Sequence, residues 1–182
     1  QPQPDPQPQP QPDPQPDPQP QPQPAPHPQP QPQPAPSRAW QQDPPGWRDR
    51  NADGTYPANT SAVIDGRTYR FDGRGYMRTG WVREDGTWYY HAVSGAQASG
   101  WVLDGVSWYY LTPGTGALAT GWLKDGASWY YLNPASGAMV TGWLKDGDSW
   151  YYLRPGSGAM VTGRVWIGWR WYTFADNGQW IR

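Results

Sequence analysis

The sequence contains no cysteine, which removes a disulfide framework and a thiolate-ligated zinc or iron–sulfur site. Its two histidines, His27 and His91, lie far apart in different kinds of segment. Neither has the neighbours of a nucleophilic triad or a metal cluster. No run of about 18 apolar residues occurs, so no membrane insertion by a spanning helix is expected. Formal net charge is -1 and no basic run is present, so the electrostatic footprint of a nucleic-acid or anionic-lipid partner is missing. Paired carboxylates of the kind that hydrolyse glycosides are not found either, so no catalytic residue and no cofactor is assigned. The chain starts with Gln1 and shows no signal peptide, which reads as a piece cut from a longer polypeptide.

Phenylalanine is scarce as well, with 2 copies against 14 Trp and 12 Tyr. The aromatic content is therefore concentrated in rings with a polar edge, which suit surfaces that are dry on one side and wet on the other.

From Gln1 to Pro36 every second residue is proline, usually preceded by Gln. Half of these backbone positions lack a donor, so neither helix nor sheet ladder is available. Residues before proline are pushed to extended angles, which leaves polyproline II at about 3.1 Å per residue and a reach of roughly 110 Å. Residues 1–36 are accordingly expected to be a disordered, semi-rigid spacer, with residues 37–61 as a lead-in.

The remainder, 62–182, is a repeat array. Trp88, Trp108, Trp129 and Trp150 each open a Trp-Tyr-Tyr triplet, at intervals of 20, 21 and 21. Trp81, Trp101, Trp122 and Trp143 each stand seven residues earlier, preceded by Gly. Between them lies Asp-Gly in every copy, as in Asp104-Gly105 and Asp125-Gly126, a hairpin-turn signal when flanked by aromatic residues. A lone hairpin is marginal in water, so the units must stack. The expected fold is all-β, a solenoid of short stacked hairpins with full repeats 81–100, 101–121, 122–142 and 143–163. Degenerate caps at 62–80 and 164–182 flank them. Tyr69-Arg70-Phe71 takes the triplet slot in the first cap, with Ala62 in place of the leading tryptophan; Arg164 replaces it in the last.

Strand alternation places Trp129 and Tyr131 on one face and Tyr130 on the other. Trp122 is expected to meet Trp129 across the hairpin, and a Tyr from the following unit would complete a three-sided pocket suited to a quaternary ammonium ion. Packing alone would let Leu, Ile or Phe substitute, yet Trp fills both slots in all four full units.

This pattern, Gly-Trp, a seven-residue step, Trp-Tyr-Tyr, then Ser-Gly-Ala-Met and Thr-Gly-Trp, resembles the choline-binding, or cell-wall-binding, repeats of Gram-positive surface proteins and phage lysins. The resemblance implies a secreted, wall-associated module in which choline of teichoic acids binds between successive hairpins. Two Trp come from one unit, a Tyr from the next, and often a Met lies nearby. Carried onto this chain, the sites are Trp81, Trp88 and Tyr110; Trp101, Trp108 and Tyr131; Trp122, Trp129 and Tyr152. A fourth, Trp143 and Trp150, borrows Tyr172 because Thr173 fills the second Tyr slot. The Met slot holds Gln97, Leu118, Met139 and Met160.

The same superfamily includes glucan-binding modules, so a cell-wall polysaccharide partner is the alternative. Against it, Asp125 and Asp146 are read as turn residues whose Asp-Gly geometry already accounts for them. Asp49 to Thr60 opens like a calcium loop, but Thr60 stands where Glu belongs and no flanking helices are evident, so a turn-rich lead-in explains it. A three-ring cage supplies about 3 to 5 kcal/mol, which is millimolar affinity. Several cages on a repeating polymer raise avidity by about 10²- to 10⁴-fold.

Overall fold

The structure is a computed structural model that describes residues 40–51 and 53–181; the proline-rich tract expected as a spacer lies outside the described residues. Among these residues there is no helix. The chain runs through β1 (Trp40–Asp43), β2 (Gly46–Asp49), β3 (Ser61–Ile64), β4 (Arg67–Arg70), β5 (Gly80–Glu84), β6 (Thr87–His91), β7 (Gly100–Asp104) and β8 (Ser107–Leu111). It continues through β9 (Gly121–Asp125), β10 (Ser128–Leu132), β11 (Gly142–Asp146), β12 (Ser149–Leu153), β13 (Gly163–Ile167), β14 (Arg170–Phe174) and β15 (Trp180–Ile181). Consecutive strands pair as antiparallel hairpins, and the last sheet gains β15 as a third strand.

Backbone hydrogen bonds stitch each hairpin to the one before. After β10 the chain lies beside its own hairpin, where Val140 N–H donates to the Tyr131 carbonyl, and also reaches the preceding one, where Met139 N–H donates to the Trp108 carbonyl at 2.7 Å. The same bond recurs from Leu118 to Trp88 and from Met160 to Trp129, each at 2.8 Å. A solenoid results in which every unit satisfies part of its neighbour's backbone, the requirement that a lone two-stranded ribbon cannot meet.

The residue after each tyrosine pair points inward and forms the spine of the core. Leu111, Leu132 and Leu153 are fully buried, as is Phe71 in the corresponding slot; Phe174 is buried in the last unit, and His91 occupies that slot in the β5–β6 unit with 4% exposure. His91 is therefore a core residue that substitutes for leucine. Its Nδ1 lies 2.9 Å from the Gly95 carbonyl, and burial pushes its pKa below 6.5 despite that bond.

The Met slot is a second stacking device. A Cβ on Gly158 would stand 2.3 Å from Met139 Sδ, and one on Gly178 would stand 2.2 Å from Met160 Sδ. Both glycines have φ above +70°, so their positions demand glycine for conformation and for space. Met139 and Met160 thus pack into the turn of the next repeat, and Leu118 does the same at Gly137.

Three expectations are corrected by register. In β9–β10 the last pair is Asp125 with Ser128, so the turn is Gly126-Ala127, with φ +57° at Gly126. Asp104, Asp125 and Asp146 are strand-end residues, not turn residues, in β7, β9 and β11. Asp-Gly forms the turn only at Asp65-Gly66 and Asp85-Gly86, where both residues have positive φ and the strand-end slot passes to Ile64 and Glu84. In the first cap, Ser61 pairs with Arg70 as Trp81 pairs with Tyr90, so Ser61 and not Ala62 stands in the leading slot, and Thr68-Tyr69-Arg70 is the triplet. Finally, the lead-in contains a hairpin of its own: Trp40 pairs with Asp49, Trp47 stands seven residues after Trp40, and the Trp47 carbonyl accepts from Met77 N–H at 2.7 Å.

Candidate aromatic ligand sites

Each hairpin has two faces because side chains alternate along a strand. On the forward face of β5–β6 the register sets Trp81 opposite Tyr90 and Trp88 opposite Arg83. Trp81 meets Tyr90 with ring centroids 5.0 Å apart and Trp88 with centroids 6.5 Å apart, both edge to face. The backward face of the next hairpin then delivers Tyr109, whose ring lies 4.9 Å from that of Trp81. The cluster is made of Trp81, Trp88 and Tyr90 from one unit and Tyr109 from the next.

The arrangement repeats. Trp101 meets Tyr110 at 5.2 Å and Tyr130 at 4.9 Å; Trp122 meets Tyr131 at 5.1 Å and Tyr151 at 4.8 Å. The fourth cluster joins Trp143 to Tyr152 at 5.2 Å, Tyr172 at 4.9 Å and Trp150 at 6.3 Å. Trp143 also has Phe174 and Trp180 within 6 Å.

The tyrosine that crosses to the preceding unit is thus the first of each pair. Tyr110, Tyr131 and Tyr152 are inside their own hairpins, beside Trp101, Trp122 and Trp143, and the crossing rings are Tyr109, Tyr130 and Tyr151. Tyr172 occupies the first-Tyr slot, so Thr173, which lies opposite Arg164 in the last hairpin, takes nothing from the fourth cluster, whose in-hairpin ring is Tyr152. The two tryptophans of a unit are diagonal neighbours; Trp129, for example, lies opposite Lys124. Met139 and Met160 lie against the glycine cradles of the next turn.

Three carboxylates missed as site residues complete the clusters. The Trp81 indole N–H donates to Asp104 Oδ2 at 2.9 Å, that of Trp101 to Asp125 at 2.9 Å, and that of Trp122 to Asp146 at 2.8 Å. Each acceptor belongs to the following hairpin. Tyr90 and Tyr110 have pKa values raised above the ordinary phenol range, first by burial and then by the charges of Asp104 and Asp125 respectively. The signal was present in the spacing, since Asp stands four residues before Trp108, Trp129 and Trp150 but three before Trp88, yet the Asp-Gly dipeptide assigned it to a turn.

Outer ring faces already attract the chain's own cations. Arg83 lies over Trp88 at 5.9 Å, Lys124 over Trp129 at 6.0 Å, and Arg164, in the leading slot of the last hairpin, over Trp171 at 4.7 Å. At the other end Arg48 lies over both Tyr56 and Tyr76. A separate polar groove of about 460 Å³, lined by Arg67, Thr68, Gln97, Ser99 and Thr115 among others, touches none of the clustered rings. The residues that resembled a calcium loop form a hydrogen-bonded turn, with Asp53 Oδ1 accepting from Thr55 N–H and its hydroxyl. Among the described residues no group of three potential metal ligands comes together.

Residues 79–121 and 119–164 match the family model of the choline-binding repeat. No curated protein sequence matches the chain. Among solved structures, choline binding protein F from Streptococcus pneumoniae, crystallised in the presence of a peptidoglycan analogue, is 34% identical with a TM-score of 0.72. It aligns with 79% of this chain and 52% of its own. CbpJ from the same organism is 36% identical with a TM-score of 0.74 and the same coverages. The modular autolysin LytC from Streptococcus pneumoniae is 30% identical with a TM-score of 0.64, over 79% of this chain and 32% of its own. The chain therefore spans about half the length of the first two structures and about a third of the third.

Proposed function

This chain belongs to the choline-binding repeat family, and from that premise we propose that it is a non-catalytic module that holds a secreted protein on a bacterial cell wall. Its ligand is choline carried on teichoic acid. The observation that supports this reading is the aromatic cluster repeated at successive hairpin interfaces, each with a Trp ring from one unit meeting a Tyr ring from the next. A trimethylammonium group has no hydrogen-bond donor and is attracted to ring faces, so Trp and Tyr surfaces suit it where an ammonium binder would need acceptors. Single sites of millimolar strength become an anchor only when several engage one polymer, which is what a solenoid with repeated interfaces supplies.

A second reading has an observation in its favour. Asp104, Asp125 and Asp146 stand beside the rings rather than in turns, and a carboxylate next to an aromatic platform is what saccharide stacking uses. Passage over a tertiary-amine resin separates the two. Retention in about 1 M salt and release by choline are expected; elution by salt alone, with retention on immobilised dextran, would transfer the function to glucan binding.

A further inference from the structure

Among the interfaces that carry a leading tryptophan, the strand-end slot of the following hairpin defines two classes; the β5–β6 slot, Glu84, follows a hairpin led by Ser61 and ion-pairs with Arg70 instead. Where Asp fills it, the carboxylate holds the indole of the preceding unit, as at Trp81, Trp101 and Trp122. Where Trp40 meets the β3–β4 hairpin, the slot is Ile64, paired with Arg67. There the Trp40 indole N–H is buried without a hydrogen-bond partner. Where Trp143 meets β13–β14 the slot is Ile167, paired with Arg170, and extra rings from Phe174 and Trp180 surround the tryptophan. Rings are present in both classes, but a fixed negative charge is present in only one.

We propose that Asp104, Asp125 and Asp146 are positioning and specificity-determining residues. Each locks the leading tryptophan of the preceding hairpin and supplies the charge by which that interface selects a cation over a neutral molecule of the same shape. The Trp40 and Trp143 clusters, backed by isoleucine, are structural and take no cation.

Ring quadrupoles attract a cation weakly, and the apolar methyl groups of choline contribute equally in a neutral analogue. A carboxylate held beside the cluster adds an attraction that only the cation feels. Its geometry is fixed because the same oxygen accepts the indole N–H, so no side-chain ordering is required when ligand arrives. The charge also excludes anionic groups of the polymer from the rings, which directs the head group and not the phosphate into the site. This inference rests on the choline reading.

The test compares choline with its uncharged isostere 3,3-dimethylbutan-1-ol, titrated by calorimetry into the wild-type chain and the triple variant Asp104→Asn, Asp125→Asn, Asp146→Asn. Asparagine keeps an acceptor oxygen for the indole and removes only the charge. The variant is expected to lose about fivefold to tenfold in choline affinity and nothing for the isostere; a merely structural role would weaken both ligands equally or neither. Unchanged discrimination between the two ligands would overturn the inference while leaving the choline reading intact. Failure of the wild-type chain to bind choline would overturn both. A second variant, Ile167→Asp, covers the case in which the triple variant does not fold. It is expected to raise the number of choline sites from about three to about four per chain, and an unchanged stoichiometry in a folded protein would contradict the assignment.

Discussion

Replacing Trp122 by Phe leaves an aromatic ring against Tyr131 and Tyr151 but deletes the indole N–H that bonds Asp146 at 2.8 Å. A hydrogen bond to a charged acceptor contributes about 1.5 to 3 kcal/mol, and this pair is only part-buried, so the lower end, about 1.5 kcal/mol, applies. The smaller ring also loses apolar contact. An Asp146→Ala background isolates that contribution, because there Trp122→Phe removes the same ring volume with no carboxylate left to lose. The difference between the effects of Trp122→Phe in the two backgrounds is the hydrogen bond. With a urea dependence of about 2 kcal/mol per molar, Trp122→Phe should lower the midpoint by about 0.7 M more in the wild type than in Asp146→Ala, with equal slopes. Equilibrium urea unfolding followed by far-ultraviolet circular dichroism measures this. Equal shifts in the two backgrounds would refute the claim that the carboxylate locks the indole.

Three further outcomes are expected. Gly158→Ala should cost about 1 to 3 kcal/mol in thermal unfolding, because its backbone has φ +72° and its Cβ would meet Met139 Sδ. Part of that loss should be recovered when Met139→Ala is added. Leu132→Ala should cost about 2 to 5 kcal/mol, since Leu132 is fully buried, whereas Val106→Ala at a fully exposed turn should change stability by less than about 0.5 kcal/mol. His91 should make the protein acid-sensitive. Its folded pKa is depressed below 6.5 by burial, so the unfolded chain binds the proton more readily. The stability it confers is complete above the unfolded value and falls as pH drops through 6.5 toward the lower folded value. Urea midpoints at pH 7.5 and pH 5.0 should therefore diverge more in the wild type than in His91→Leu, and an identical divergence would remove His91 as the cause.

The hairpin period was legible because it is written in two independent signals, the seven-residue Trp step and the Trp-Tyr-Tyr triplet. The faces were legible too: alternation separated Tyr130 from Trp129 and Tyr131, and the ring contacts follow that division. Which face meets which neighbour was not, because alternation describes one hairpin and the stacking direction is a property of two. That is why Tyr110 was placed where Tyr109 lies. The carboxylates were misassigned for a related reason. Asp-Gly has a strong turn preference, but in β7, β9 and β11 the indole of the preceding unit captures the Asp oxygen, and the turn moves one residue on. The β1–β2 hairpin escaped notice because Pro44-Pro45 gives no hairpin signal and Arg48-Asp49 replaces the tyrosine pair, although Trp40 and Trp47 keep the seven-residue step. His91 has no catalytic neighbours in the sequence, and the structure puts it in the leucine slot of the repeat. Its burial in the core spine gives that substitution a cost that the sequence alone did not reveal.

Intrinsic tryptophan fluorescence reports directly on rings that would line the sites, so titration with choline, and in parallel with dextran, is the most direct test of cation recognition by the repeated aromatic clusters. A saturating change with choline in the millimolar range and a flat trace with dextran are predicted. A flat choline trace with a saturating dextran response would contradict the account.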